Sequence, residues 1–295
     1  VKVLDIGLSK EWIESAESSI CIVERSQILS QLRNRSDFAH KGSMGHALIV
    51  AGSYGMAGAG ILAGRACMRS GVGKLTVHIP RCNNDIMQIS LPEAILHHDT
   101  SEVYWTSLPF AKSENVAYNA IGIGPGIGTG EATAEALHQL LCVLGSTEMP
   151  MVVDADALNI LAEHPEWFNL LPEGTIITPH PLEYRRLVEA GIEMGNVTLV
   201  LKGHHTTITL PHHSTPSYLC PWGNNGMGTA GSGDVLTGII LGLLAQGYST
   251  TEAAVMGVSL HALSGDIVAE ELGQHSLIAS DLIENMHKAF KQIIG

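Results

Sequence analysis

A glycine-rich loop that runs directly into an apolar segment of helical length is the most constraining feature of the sequence. Residues 224–247 read NNGMGTAGSGDVLTGIILGLLAQG, and Asp234 followed by Val235 and Leu236 is typical of the first turn of a buried helix. Such a loop would present several backbone N–H groups at the positive end of the helix dipole, which holds a phosphate without a basic side chain. Because glycine lets the backbone approach an anion closely, the segment predicts an anion-binding helix N-terminus.

Asp234 is the residue of this segment that an anion site alone does not explain. Beside a phosphate, its carboxylate would serve as a base that takes a proton from an attacking hydroxyl. The alternative is an aspartate that only caps a helix after a flexible loop. The segment by itself leaves both interpretations open.

The size and composition of the chain fit one large α/β protein. Of its 295 residues, 45% are hydrophobic but only 5% are aromatic, and 32 are glycine. This composition predicts a core of small aliphatic side chains packed closely against glycine. The formal net charge of −13 argues against a nucleic-acid partner, because phosphate backbones select for clustered lysine and arginine. Apolar runs stay well short of the roughly 20 residues of a membrane span, so no membrane partner is expected.

The cysteines and the first residues predict a cytoplasmic protein. The five cysteines are odd in number, scattered and without a CxxC pair, which is typical of a reducing compartment. Residues 1–12 lack a basic region followed by an apolar run, so no secretory signal is expected. Residues 1–39 are expected to form an N-terminal arm packed on the main body, with a helix over 11–35 and no recognisable chemistry.

Residues 46–79 carry the pattern of a βαβ unit. A strand at 47–51 is followed by a glycine loop, a helix at 61–70 and a second strand at 75–79. Such a unit implies a parallel sheet covered on both faces. Residues 58–63 also match a dinucleotide-binding fingerprint, but the second strand ends without the carboxylate that would hold a ribose. The glycines are therefore interpreted as a tight loop at the carboxyl end of a strand, where open α/β sheets bind ligands.

Later segments repeat the order of strand, polar or glycine-rich tip, and helix. Because the carboxyl ends of parallel strands meet at one edge of a sheet, the tips are expected to face the same end. A lysine among phosphate loops would contact a phosphate or nucleotide, whereas paired carboxylates fit either helix capping or ligand binding. The first of these segments is strand 120–123 with glycine loop 124–128 and a helix from about 131 to 144, and the second is a strand tip within 151–158 that carries Asp154 and Asp156. The third is a strand, tip and helix start over 175–183 with His180 and Glu183, and the fourth is strand 198–202, which ends in Lys202 and has a hairpin return at 208–210.

Histidine is frequent, but its placement does not favour a zinc site. Adjacent pairs occur at 97–98, 204–205 and 212–213. Neighbours on a strand point to opposite faces, so such a pair does not easily chelate one metal ion. The sequence also lacks HExxH and the Cys/His spacings of zinc sites, and no structural metal is expected.

Six segments, taken together and in order, resemble one enzyme family. GMGTAGSGDVLTG resembles the anion-hole and catalytic-aspartate signature of the ribokinase-like superfamily. Within that superfamily, the segments HKGSMGHALIVAGSYGMAGA, GIGPGIG, VVDADALNIL, TPHPLEYRRL and LKGHHTTI are similar to those of the nucleotide-dependent NAD(P)H-hydrate dehydratases. The resemblance implies a three-layer α/β/α fold with a mostly parallel central sheet, in a single domain over residues 1–295. It also implies repair of hydrated NADH or NADPH, driven by a nucleoside phosphate.

The resemblance implies roles for particular residues. Asp234 would be the catalytic base, and it would also contact the substrate. The remaining implied positions are an anion hole (Ala230, Gly231, Ser232, Gly233), a nucleotide-binding set (Lys202, Gly203, His204, His205, Thr206 and again Gly233) and a substrate-binding set (Ala59, Gly126, Gly128 and His180).

Two positions depart from the pattern of the family. Many ribokinase-like kinases keep an NxxE motif whose glutamate is tied to magnesium and its waters. Here His180 replaces the asparagine, so Glu183 is expected to reach a metal ion through water rather than directly. Ser43 replaces an aspartate that the pattern places between Gly42 and Gly45.

The implied co-substrate is ADP or ATP, and Mg²⁺ is the cation expected to neutralise phosphate charge. The expected partners are hydrated NADH, hydrated NADPH and the nucleotide, and the chain is expected to form a homo-oligomer such as a tetramer. Two alternatives stay open. A vitamin kinase would keep the anion hole and Asp234 but release a phosphorylated product. A nucleotide-binding protein without turnover would not depend on Asp234.

Overall fold

A ten-stranded, mostly parallel sheet organises the described part of the chain. The computed structural model of the protein describes residues 6–15, 18–110, 117–213 and 216–295. The strands are β1 (Ile20–Ile22), β2 (His46–Val50), β3 (Lys74–Ile79), β4 (Ile95–His98), β5 (Ala120–Ile123), β6 (Met151–Val153), β7 (Ile176–Ile177), β8 (Thr198–Leu201), β9 (Thr207–Thr209) and β10 (Ser217–Leu219).

The order of the strands places the carboxyl ends of seven of them at one edge of the sheet. The order is β1-β10-β9-β8-β7-β6-β5-β2-β3-β4. Strands β2 to β8 run parallel to one another, whereas β9 is antiparallel to both β8 and β10. The antiparallel return of β9 against β8 confirms the predicted hairpin.

Helices cover both faces of the sheet, which gives the expected three-layer α/β/α architecture. Alternate residues of β2 enter different cores: Ala47 and Ile49 pack into one, and Leu48 and Val50 into the other. The helices are α1 (Lys10–Ser15), α2 (Arg25–Gln31), α3 (Ala57–Arg69), α4 (Asn84–Ser90), α5 (Glu131–Leu144), α6 (Ala155–Glu163), α7 (Pro181–Glu189), α8 (Ser232–Ala245), α9 (Thr250–Leu272) and α10 (Ala279–Ile294).

Two glycines of α8 let this helix pass against the backbone of α3. A Cβ atom at Gly238 would overlap the carbonyl oxygen of Ala63, and one at Gly242 would overlap the hydroxyl of Ser70. The glycines are four residues apart and therefore lie on the same face of α8. Their close contact with α3 fixes the position of the loop that precedes α8.

The single helix predicted over residues 11–35 is wrong. The segment contains α1, strand β1 and α2 instead, and residues 1–5 and 16–17 of the expected arm lie outside the described residues. β1 forms because it pairs in parallel with β10, where Ile20 lies opposite Ser217. That pairing partner is remote in sequence, so local helical periodicity could not reveal it.

Among the described residues, we find no helix that combines the length and the apolarity required to cross a bilayer.

Candidate active site

A cavity of about 600 Å³ opens between the carboxyl ends of β6 to β8 and the N-terminus of α8. Trp222, Leu236 and Val258 contribute apolar walls, and the cavity continues along the loop before α8. The predicted residues that line it are His180, Glu183, Lys202, Gly203, His204, Thr206, Ser232, Gly233 and Asp234. The predicted residues outside this lining are Ala59, Gly126, Gly128, His205, Ala230 and Gly231.

The N-terminus of α8 has the geometry of an anion site. Gly231 adopts a left-handed conformation with φ of 87°, and a Cβ atom there would overlap Leu62. The N–H of Ser232 donates to the carbonyl of Thr229 at 3.3 Å. The N–H groups of Ala230 and Gly231 have no such acceptor among the described residues. These donors and the helix dipole together provide the setting in which proteins bind phosphate.

Lys202 is fixed beside this helix terminus by a buried carboxylate. Its Nζ donates to Oδ1 of Asp154 at 2.8 Å, while the hydroxyl of Thr237 donates to Oδ2 at 2.7 Å. Asp154 is 1% exposed and therefore requires both partners. A Cβ atom at Gly233 would lie 3.1 Å from the ammonium nitrogen, so the positive charge stands at the first turn of α8.

Asp234 is held in surroundings that disfavour its charge. Burial raises the pKa of its carboxyl to about 7, with a further contribution from the negative charge of Asp154. Asp156 and Glu183 act in the same direction, and the Lys202 ammonium opposes them. We call Asp154, Asp156 and Glu183 the strand-tip carboxylates. A base with a pKa close to neutral is suited to accept a proton near neutral pH.

His180 occupies the N-cap position of α7 and takes over the capping role of an asparagine. Its Nδ1 accepts from the N–H groups of Leu182 and Glu183 at 3.0 and 3.1 Å. Oε2 of Glu183 in return accepts from the N–H of His180 at 2.8 Å. Because Nδ1 accepts two hydrogen bonds, it carries no proton. This reciprocal capping box keeps the buried Glu183 carboxylate at the cavity wall.

Backbone strain marks the tip of β6. Ala155 has a φ of 50°, in the left-handed region that residues with a Cβ atom seldom adopt. Gly124 makes room for it, because a Cβ atom at Gly124 would overlap the carbonyl oxygen of Asp154. Such strain persists where the surrounding structure enforces it, and it is concentrated at functional sites.

Ala59, Gly126 and Gly128 form a neighbouring group next to this cavity. A Cβ atom at Gly126 would lie 3.0 Å from the Cβ atoms of both Ala59 and Met56. The N–H of Gly128 donates to Oδ2 of Asp156 at 2.8 Å. Asp156 therefore connects the glycine loop after β5 with the group of carboxylates around Asp234.

Thr237, His261 and Asp266 support the site but were not predicted. His261 on α9 donates from Nε2 to the carbonyl of Ser232 at 2.9 Å, and burial lowers its pKa to about 4. Asp266 accepts from the N–H of Gly223 and from the side chain of Asn224, both at 3.0 Å. Thr237 could have been recognised from the sequence, because it is a polar residue inside the otherwise apolar helix α8.

Ser43 lies far from this chemistry. It precedes β2, at the end of that strand opposite the cavity edge. Its hydroxyl accepts from the N–H of His40 at 3.0 Å and donates to the His40 carbonyl at 2.9 Å. The serine therefore closes a local turn.

The relationship of the chain to known proteins follows from a family comparison. The family model described as NAD(P)H-hydrate dehydratase matches residues 47–288, which contain every predicted site residue. The chain belongs to this family. An ADP-dependent (S)-NAD(P)H-hydrate dehydratase of Neisseria meningitidis is 38% identical, and the matched region covers 81% of this chain and 82% of that protein.

Other members of the family are longer than this chain. The bifunctional NAD(P)H-hydrate repair enzyme of Coxiella burnetii is 36% identical to it over 95% of this chain. The match spans only 57% of the length of that protein.

Solved structures share the architecture. The ADP/ATP-dependent NAD(P)H-hydrate dehydratase of Bacillus subtilis, co-crystallised with ATP and Mg²⁺, is 28% identical with a TM-score of 0.76, covering 92% of this chain and 97% of that one. A ribokinase-like superfamily protein of Enterococcus faecalis has a TM-score of 0.77 at 24% identity, covering 94% and 98%. The dehydratase family member described here therefore has a ribokinase-like fold, as expected from its sequence.

Proposed function

We propose that this chain is an NAD(P)H-hydrate dehydratase that uses ADP or ATP to return hydrated NADH or NADPH to the reduced dinucleotide. The observation that carries the proposal is the position of Asp234, a carboxylate with a pKa of about 7 on the first turn of α8, beside the anion-binding loop. Membership of the dehydratase family supplies the reaction class. The geometry supports the proposal, because a buried carboxylate suited to act as a base lies on the same helix terminus that would bind a phosphate.

The first chemical step is phosphorylation of the hydrated ring. Asp234 takes the proton of the ring hydroxyl as the oxygen attacks the terminal phosphorus of the nucleotide. The bond from that phosphorus to the bridging oxygen breaks, and AMP leaves when the nucleotide is ADP. The N–H groups of Ala230 to Gly233 stabilise the charge that develops on the transferred group.

The second step is elimination. Phosphate leaves with the electrons of its bond to the ring carbon that carried the hydroxyl, and the adjacent carbon loses a proton to water, so that the electrons of that C–H bond form the new double bond. The ring double bond is thereby restored, and the products are the reduced dinucleotide and inorganic phosphate. Phosphate is a far better leaving group than hydroxide, which explains the need for a nucleotide.

Lys202 and its loop form the nucleotide half of the proposed site. The ammonium group beside Gly233 is placed to pair with phosphate oxygens, and Gly203, His204 and Thr206 line the same cavity. His205, which does not line the cavity, follows within the same turn. The reacting ring would approach Asp234 from the side of Ala59, Gly126 and His180.

Among the described residues no group of three or more His, Cys, Asp or Glu side chains could hold a metal ion directly, so a magnesium ion at this cavity would be held mostly through water and phosphate. The charged groups that act on Asp234 are the three strand-tip carboxylates and the Lys202 ammonium, so negative charge outweighs positive charge around it. Magnesium prefers oxygen ligands and keeps several of its waters. We propose that Glu183 reaches the ion through water, whereas both carboxylate oxygens of Asp154 already accept hydrogen bonds from Lys202 and Thr237. When bound with the nucleotide, the ion would neutralise charge on the phosphates.

The proposal also includes a cytoplasmic location and a homo-oligomer such as a tetramer. The odd, scattered cysteines support the location, because all five thiols are free. Light scattering would measure the number of chains in the assembly.

The decisive experiment measures which product contains the terminal phosphate of the nucleotide after the reaction. With hydrated NADH, ADP and Mg²⁺, we expect the near-ultraviolet absorbance of NADH to return, with one AMP and one inorganic phosphate released for each NADH formed. Omitting the nucleotide should stop the reaction. Recovery of NADH at full rate without nucleotide would exclude the mechanism, and accumulation of a stable phosphorylated product would identify a kinase instead.

A further inference from the structure

A second cleft, of about 700 Å³, lies beside the glycine loop between β5 and α5. Its lining residues are distinct from those of the 600 Å³ cavity. Tyr54 and Tyr104 form its aromatic walls, and their side chains are 75% and 47% exposed. Gly128, Gly130 and the first turn of α5 form the rest of its floor. We refer to this site as the tyrosine cleft.

A backbone hydrogen bond joins the two loops that carry the tyrosines. The N–H of Tyr54 donates to the carbonyl of Val103 at 2.7 Å, so the loop after β2 is tied to the loop after β4. This bond places the residue that precedes Tyr104 directly against Tyr54. The backbones that carry the two tyrosines are thus fixed relative to each other before a ligand arrives, which reduces the entropy lost on binding.

A fully buried carboxylate organises the loop that carries Tyr104. Asp99 accepts from the N–H groups of Ser101, Thr106 and Ser107 at 2.8, 2.9 and 3.0 Å, and from Nε2 of His78 at 3.0 Å. These hydrogen bonds hold its pKa well below the usual range of an aspartate, despite its burial. A buried charge satisfied mainly by one surface loop fixes the conformation of that loop.

The glycine loop after β5 links the tyrosine cleft to the surroundings of Asp234. Gly128 lines the cleft, and its N–H donates to Asp156 at 2.8 Å. Asp156 in turn lies close enough to Asp234 to raise its pKa. A ligand that extends over the glycine loop would therefore reach from the tyrosines toward Asp234.

We propose that Tyr54 and Tyr104 bind the adenine of the hydrated dinucleotide, whose nicotinamide end reacts at Asp234. This proposal rests on the proposed function. A dinucleotide carries a second base beyond the reacting ring, and exposed aromatic rings stack on bases. In the proposed function the nucleotide co-substrate binds in the cavity at Lys202, which leaves the tyrosine cleft for the adenine end of the dinucleotide.

The test compares hydrated NADH with hydrated reduced nicotinamide mononucleotide, which has the reacting ring but no adenosine. In Tyr54→Ala and Tyr104→Ala, we expect KM for hydrated NADH to rise roughly 5- to 100-fold with little change in kcat. The kinetic constants for the mononucleotide and KM for ADP should stay at wild-type values. Tyr54→Phe and Tyr104→Phe keep the ring face and should behave as wild type.

Binding of NADH, measured by calorimetry, separates this inference from the proposed function because it requires no turnover. The alanine variants should lose NADH affinity by the same factor and keep their affinity for the reduced mononucleotide. Equal losses for both ligands, or a rise in KM for ADP alone, would overturn the assignment. If the wild type dehydrated neither substrate, the proposed function would fail, while the calorimetric comparison would still decide the role of the tyrosines.

Discussion

At the level of single residues, the burial of Asp234 lowers the stability of the fold at neutral pH and favours the role of base that we propose for it. Burial and the nearby Asp154 raise the pKa of its carboxyl to about 7, and Lys202 only partly offsets this effect. The same environment that disfavours the carboxylate makes it a stronger base. Two consequences of this placement can be measured separately.

Replacing Asp234 with asparagine should remove most of the turnover. The change preserves size, but the amide cannot accept the hydroxyl proton, so kcat should fall about 10²- to 10⁴-fold. Calorimetry should show ADP binding close to that of the wild type. A variant that retained more than a tenth of the wild-type rate would show that Asp234 is not the base.

The same substitution should change how stability depends on pH. Between the ordinary pKa of 3.8 and about 7, the folded protein keeps a proton at Asp234 that the unfolded chain has released, so this group lowers stability as the pH rises. Asp234→Asn removes the effect and should be more stable than the wild type at pH 8, by about 1–3 kcal/mol. At pH 4 the two proteins should differ little. Urea denaturation without ligands measures both differences, and an equal difference at both pH values would contradict the assignment.

At the level of elements, local sequence patterns were sufficient to predict the bounds of strands and helices where a strand led into a glycine loop and a helix. The predicted bounds of β5 and α5 agree with the structure, because alternation, glycine and helical periodicity are all local signals. The predicted end of β8 at Lys202 also placed that lysine at the cavity. Its ion pair with Asp154 was not predicted, because parallel strands indicate a shared edge but not which side chains meet.

The role of His180 was only partly predictable for a related reason. The sequence shows that a histidine replaces the asparagine of the NxxE motif. Whether Nδ1 can reach two N–H groups of α7 depends on the rotamer of the side chain and on the backbone angles before Pro181. These are tertiary details, and the capping box became visible only in the structure.

The loop between β8 and β9 offers a test of the nucleotide half of the site. A Cβ atom at Gly203 would have a single neighbour within 4 Å, the carbonyl oxygen of His205 at 3.9 Å, so Gly203→Val should fold normally. The added side chain would crowd the cavity, and ADP binding should weaken at least about tenfold in calorimetry, as loss of roughly 1.4 kcal/mol would produce. NADH binding should change much less.

Gly195→Val is a matched control for this variant. A Cβ atom there has open space, and the residue precedes β8 at the end opposite the cavity. The control should bind ADP as the wild type does. If Gly203→Val lost affinity for ADP and NADH equally, the loop would not belong to the nucleotide half.

At the level of the whole molecule, the parallel sheet gathers residues that are remote in sequence at one edge. Asp154 at the end of β6, Glu183 after β7 and Lys202 after β8 meet the N-terminus of α8 there. The glycines of α8 that contact α3 hold this helix terminus against the sheet. The opposite edge holds the turn closed by Ser43, which lies away from the site.

The cavity and the tyrosine cleft lie in different parts of the proposed site, and this arrangement predicts that the nucleotide and the dinucleotide form a ternary complex with the protein. In the proposed complex the adenine of the dinucleotide lies in the tyrosine cleft, the nucleotide lies at Lys202, and the reacting ring meets the terminal phosphate at Asp234, so both substrates are bound at the same time. The phosphoryl group would then pass directly between two bound molecules, without a phosphorylated side chain in between. Initial-rate plots against one substrate at fixed levels of the other should therefore intersect, as they do for a ternary complex, whereas parallel lines would indicate a ping-pong sequence.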